Sequence, residues 1–121
     1  MSKTEGPSNP VLRGLIERLR KKEKETSSPL WGDLADRLSK PNRRRAEVNI
    51  SQINRHADEE SIVVIPGKVL GSGRLEKTVT VAAFDFSGRA RMRIQESGGE
   101  AISIDNLLTE VPEEEKIRIM E

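Results

Sequence analysis

The side chains best suited to bind something are concentrated in residues 40–55, Lys-Pro-Asn-Arg-Arg-Arg-Ala-Glu-Val-Asn-Ile-Ser-Gln-Ile-Asn-Arg. Arg43, Arg44 and Arg45 are contiguous, so no regular helix or strand points all three the same way. Guanidinium groups stay charged and fork onto phosphate oxygens. An irregular triplet of them suits a surface that is negative on several sides, as folded RNA is across a groove. With Arg55 these are the first candidates for phosphate contacts, and the amides of Asn49 and Asn54 suit sugar or base edges. A basic run is also a common solvated surface, and the triplet alone does not separate the two readings.

A second group of cations, Lys68, Arg74 and Lys77, flanks glycines at 67, 71 and 73. A phosphate loop of the form GxxxxGK[ST] needs Gly at position 62 and Ser or Thr at 69, where the chain has Ile62 and Val69. The dinucleotide fingerprint GxGxxG is missing as well. What remains is a glycine turn that lets one backbone approach another, with three cations to hold a phosphate ribbon, or a tight β-turn with incidental charges. Arg13 and Arg20, on the polar side of the first helical stretch, are further candidates. Arg89 and Arg93, four apart, share a helix face, while Arg91 points elsewhere.

Catalytic chemistry is poorly supplied. The single histidine, His56, stands beside Asp58 and Glu59 in a polar stretch, the setting of a surface residue more than of a general base or metal ligand. No Ser-His-acid order and no framed pair of carboxylates stands out, and Glu113, Glu114 and Glu115 read as a solvated acidic turn. With no cysteine there are no disulfides, thiolate metal sites or thiol nucleophiles, which is compatible with a reducing cytosol. The reading carries no cofactor, no metal and no small-molecule substrate. The only rings are Trp31, Phe84 and Phe86, too few to stack a single strand along a sheet. Recognition of already folded RNA by shape and phosphate contacts is the economical alternative.

The elements that must hold these groups fit one domain with a loosely attached arm, since the chain has 121 residues. Its core must be modest, with 34% hydrophobic and 34% charged residues. No apolar run approaches the roughly 18 residues that span a bilayer, and the first residues lack a signal-like apolar segment, so neither membrane nor export is expected. The net charge of +1 hides an asymmetry. Residues 1–57 carry 13 Lys/Arg against 7 Asp/Glu, a net +6, and residues 58–121 carry 8 against 13, a net −5. Phosphates respond to the field within about 10 Å at 0.1 M salt, so placement outweighs the total. The chain therefore reads as a basic helical arm and RNA-binding segment over 1–57, then a compact α/β body over 58–121 with an acidic end.

Asn9-Pro10 opens a first helix with an apolar stripe of Val11, Leu12, Leu15, Ile16 and Leu19, and Thr26-Ser27-Ser28-Pro29 breaks it. A second helix runs from about Leu30 to Ser39 with Trp31, Leu34, Ala35 and Leu38 inward; Trp31 reads as a packing anchor. Ser51 is the expected cap of a short third helix. Ile62 to Ile65 is a β-branched run typical of a doubly buried strand, interrupted by Pro66-Gly67 and resumed at Lys68. Another strand runs to about Phe84, Ser87 caps a helix with Ala90 and Ile94 inward, and Gly98 stops it. A strand at Ala101–Ile104, a short helix at Asp105–Leu108, and a last strand or docked tail at Ile117–Ile119 complete the order.

Taken in series, these segments resemble a known family. Asn9-Pro10, Pro29-Leu30-Trp31, Pro41-Asn42-Arg43-Arg44-Arg45, Glu47-Val48-Asn49 and Ile53-Asn54-Arg55 occur in order. Val63 to Gly71, Val79 to Phe84 with Phe86-Ser87, Gly98-Gly99 and Ser103 to Leu108 follow. The series is similar to the archaeal and eukaryotic large-subunit ribosomal protein family called eighteen-e, a relative of the bacterial large-subunit protein fifteen. The resemblance implies irregular strand-strand-helix turns wound into a superhelical body, with an N-terminal helical extension. It also implies a structural, non-catalytic role in cytoplasmic ribosomes, with large-subunit ribosomal RNA and neighbouring ribosomal proteins as partners. The C-terminal end departs from the family pattern: Val111-Pro112-Glu113-Glu114-Glu115 is more acidic, so RNA contact is not carried over to that tail. Two other readings stay open: an RNA-processing enzyme, which lacks a visible catalytic group, and a protein-protein adaptor using the acidic half.

Overall fold

The computed structural model describes residues 9–41, 45–59, 61–110 and 116–121. It is a mixed α/β structure whose packing forms two compact units, Met1–Arg45 and Ala46–Glu121. This division falls earlier than the charge boundary at residue 57, because residues 46–57 carry Val48, Ile50 and Ile53 into the core of the second unit.

The first unit is a pair of contacting helices, α1 (Pro10–Thr26) and α2 (Pro29–Leu38). Asn9 caps α1 by accepting from the Val11 and Leu12 amides at 2.9 and 3.4 Å, with Pro10 in the first turn, where its missing N–H costs nothing. Ser27 ends it in the left-handed region at φ 58°. The α1 stripe is narrower than its sequence suggested: Leu12, Leu15 and Leu19 are buried, whereas Val11 is 70% exposed. Trp31, Leu34, Ala35 and Leu38 of α2 are fully buried, so Trp31 is a core anchor and is not available for base stacking.

The second unit is built on a parallel sheet. Its strands are β1 (Ala46–Asn49), β2 (Ile62–Leu70), β3 (Thr80–Phe86), β4 (Glu100–Ser103) and β5 (Ile117–Ile119). The order is β1-β2-β3-β4, and β5 also pairs with β2. β3 takes one edge of β2, so β5 at Ile62–Val64 and β1 at Gly67–Leu70 lie end to end along the other. Pro66-Gly67 does not interrupt β2, which runs on through both residues. Pro66 lies between the stretches paired by β5 and β1, and within the register shift against β3, so its missing N–H removes no ladder bond. Gly67 pairs with Ala46, and a side chain there would collide with the Ala46 carbonyl.

Helices α3 (Ile50–His56), α4 (Gly88–Glu96) and α5 (Ile104–Glu110) complete the unit. Ile53 of α3 and Ala90 and Ile94 of α4 join Val63, Ile65, Val69, Val81 and Ala83 in one buried cluster, so both helices cover the same face. Val64, Ala82, Ile104 and Leu107 are buried outside that cluster, and α5 contacts β3 and β4. The cap of α3 is Asn49 instead of Ser51: the Asn49 amide donates to Gln52 Oε1 at 2.9 Å, the return half of a capping box. Ser87 does cap α4, accepting from the Ala90 amide at 3.1 Å.

Replacing Gly67 by alanine forces the Ala46 backbone away from β2. Such overpacking typically costs about 1–3 kcal/mol, so the urea midpoint of G67A should fall clearly below that of the unaltered chain. An unchanged midpoint would show that β1 is not held this way.

Candidate nucleic-acid interface

Parallel strands β2 and β3 must be joined by a crossover, and residues 71–79 make it without a helix of their own. Backbone groups in such a segment need partners from elsewhere. They come from the two flanking helices. The Ser51 amide of α3 donates to Ser72 O at 3.1 Å, and the Glu76 amide donates to Asn54 Oδ1 at 2.9 Å. Lys77 Nζ donates to Ala57 O at 2.7 Å, just beyond α3. The Thr78 amide donates to Glu59 Oε2 at 3.0 Å, and the Thr78 hydroxyl donates to Ser97 O at 2.9 Å. From α4, Arg93 Nη1 donates to Gly73 O at 2.8 Å.

The glycines serve this stitching. Gly73 has φ +103°, a conformation that disfavours any side chain, and a Cβ there would meet Ser51. A Cβ on Gly71 would lie 2.6 Å from the Arg89 Cβ. The close backbone approach expected for a phosphate ribbon is thus made to the chain's own helices.

The candidate cations therefore sort into engaged and available groups. Lys77 anchors the crossover, and Asn54 spends its oxygen on Glu76, leaving its amide N–H groups free to donate. Asn49 is half-buried at the start of α3. Lys68 stands on β2 with its ammonium 3.9 Å from Asp85 of β3, an exposed pair of little energetic weight. Arg55, in the last turn of α3, and Arg74, on the crossover, are exposed and make no ion pair or hydrogen bond with any described residue. Arg89, on the exposed side of α4 beside Gly71, is equally available. Arg91 lies over the Phe86 ring at 4.9 Å.

In the first unit, Arg13 is exposed and unpaired among the described residues, whereas Arg20 donates to Asp36 Oδ1 at 3.0 Å and ties α1 to α2. Arg45 is half-buried; its Nη1 donates to Lys40 O at 3.0 Å and Leu38 O at 3.4 Å, placing a cation at the carbonyl end of α2. Burial pushes its pKa below the ordinary arginine value, and a guanidinium remains charged at neutral pH. Arg43 and Arg44 lie outside the described residues.

His56 is exposed at the end of α3, and its neighbour Glu59 is an anchor of the crossover. Among the described residues, no group of three His, Cys, Asp or Glu side chains could hold a metal ion, and no helix is long and apolar enough to cross a membrane. The site is thus a crossover stitched to two helices, rimmed by arginines that have no partner among the described residues. It has the makings of a surface for phosphates.

The family model described as ribosomal protein 60S L18 and 50S L18e matches residues 2–121. The chain belongs to this family. Among its relatives is the large ribosomal subunit protein eL18 of Haloarcula marismortui, 48% identical over 120 residues that cover 99% of each chain. The protein of the same name from Methanothermobacter thermautotrophicus is 47% identical over 114 residues, 94% of each chain. That of Methanopyrus kandleri is 47% identical over 121 residues, 96% of this chain and 95% of its own. This L18e-type chain is accordingly not an enzyme.

The sequence marks Arg89 and Arg93 as neighbours on one helix face but not the bond by which Arg93 holds the crossover. The i, i+4 spacing placed both on one face, and the glycine turn was the signal that something packs there. Because Lys77 makes a charge-assisted hydrogen bond, K77M should lose roughly 1.5–3 kcal/mol of stability in chemical denaturation. R74A should stay within about 0.5 kcal/mol of the unaltered chain. Equal effects would refute the sorting.

Proposed function

We propose that this chain is a structural component of the large ribosomal subunit that binds folded large-subunit ribosomal RNA through phosphate and shape contacts. The observation that carries the reading is the family match over residues 2–121, with relatives covering almost their whole length and each named a large ribosomal subunit protein. Its partners on this reading are the RNA and neighbouring ribosomal proteins of cytoplasmic ribosomes, with no membrane, cofactor or small-molecule substrate. The physical support is the division of labour among the cations. Lys77 and Arg93 hold the protein's own backbone, while Arg13, Arg55 and Arg74 have no described partner to give up on meeting a phosphate.

The RNA contacts assigned here are phosphates at Arg43, Arg44, Arg45, Arg55, Arg13 and Arg20, sugar or base edges at Asn49 and Asn54, and the crossover patch at Lys68, Arg74 and Lys77. Lys77 and Asn54 act chiefly by fixing the crossover that presents Arg74. The acidic C-terminal end is assigned no RNA contact on this reading.

Two measurements test this. The tagged chain should travel with the large subunit through a high-salt sucrose gradient; finding it only at the top would contradict the reading. In binding to large-subunit RNA, R55A and R74A should each reduce the log-log salt slope by about 0.7–0.9. Changing Arg43 and Arg44 together to Ala should reduce it by about twice that. Unchanged slopes would remove these residues from the interface.

A further inference from the structure

Between the 71–79 crossover and the C-terminal half of α4 lies a cleft of about 180 Å³, lined by Arg74, Leu75, Arg93, Glu96 and Ser97. Its donors and acceptors are unusually placed. Arg93 is pinned through Nη1 to Gly73 O at 2.8 Å, yet its Nε is buried with no hydrogen-bond partner. A buried N–H in that condition has lost water and gained nothing, an unmet demand in a side chain that lines the cleft. Arg74 and Glu96 are exposed and have no partner among the described residues, whereas the Ser97 hydroxyl already donates to Ile94 O.

We propose that this cleft seats one nucleotide unit of an RNA backbone, its phosphodiester between Arg74 and Arg93 and its 2′-hydroxyl against Glu96. This rests on the ribosomal reading above and specifies a site within it. Two guanidinium groups match a phosphodiester, and Leu75 offers an apolar surface to sugar carbons. Glu96 selects among anions. A carboxylate repels a bare phosphate, but it accepts from a hydroxyl one bond series away on the same nucleotide. Only RNA brings that donor, so the cleft distinguishes ribose from deoxyribose backbones.

The test is interference mapping of the full chain on large-subunit RNA carrying random phosphorothioate or 2′-deoxy substitutions. With the unaltered protein, one nucleotide should show both effects. R74A should bind about tenfold more weakly, the equivalent of one charged hydrogen bond, and lose the phosphorothioate effect at that nucleotide. E96A should keep the phosphorothioate effect and lose the 2′-deoxy effect. Neither substitution breaks a contact within the described protein, so both variants should fold normally. If both variants bind like the unaltered chain with the same interference pattern, the cleft is not a nucleotide site and the ribosomal reading stands. If the unaltered chain does not bind the RNA, both fall together.

Discussion

The structure depends on one strand being shared. β2 receives β3 along one edge and two short strands, β5 and β1, along the other. Val63 to Ile65 bury side chains on both faces of the sheet, which fixes the strand's place. Pro66 and Gly67 then let it continue where a regular strand could not. The proline sits where no ladder bond is needed, and the glycine allows the Ala46 backbone to come in close. That approach matters because Ala46 directly follows Arg45, the end of the arginine triplet.

The same economy produces the second cationic surface. A helix would satisfy the β2–β3 crossover internally, but residues 71–79 draw on α3 and α4 instead. Polar side chains that look like ligand contacts are consumed in this way. Lys77, Asn54, Glu59 and Arg93 hold backbone, and the arginines beside them, Arg55, Arg74 and Arg89, are left pointing out. A polyanion meeting this surface finds the backbone that carries these arginines already held, so only their side chains are left to order on binding. The low net charge of +1 is compatible with this, because the field that a phosphate meets is local.

Much of this was legible in the residues. Asn9-Pro10, Ser87 and the apolar spacing of Ala90 and Ile94 mark helices through local chemistry, and each behaves as its type predicts. β1 was not legible. It has four residues with only Val48 buried, and its pairing is made to a strand distant in sequence. The Asn49 cap was obscured for the same reason, since Ser51 is an equally good capping type two residues on. Pro66-Gly67 looked like a break because a proline removes a donor, and only the position of β5 and β1 shows that no donor is missing. The roles of Lys77 and Asn54 were hidden because nothing local distinguishes a cation that reaches RNA from one that reaches a carbonyl 20 residues away.

The central claim is that the fold turns one set of cations inward to fix the crossover and presents another set to ribosomal RNA. The most direct measurement is protein-RNA cross-linking in intact large subunits containing this chain, with the attached peptides identified by mass spectrometry. RNA adducts should fall on peptides from residues 40–55 and from 71–93, and not on the acidic stretch 110–121. Adducts concentrated on that acidic end, with the two cationic segments unmodified, would contradict the account.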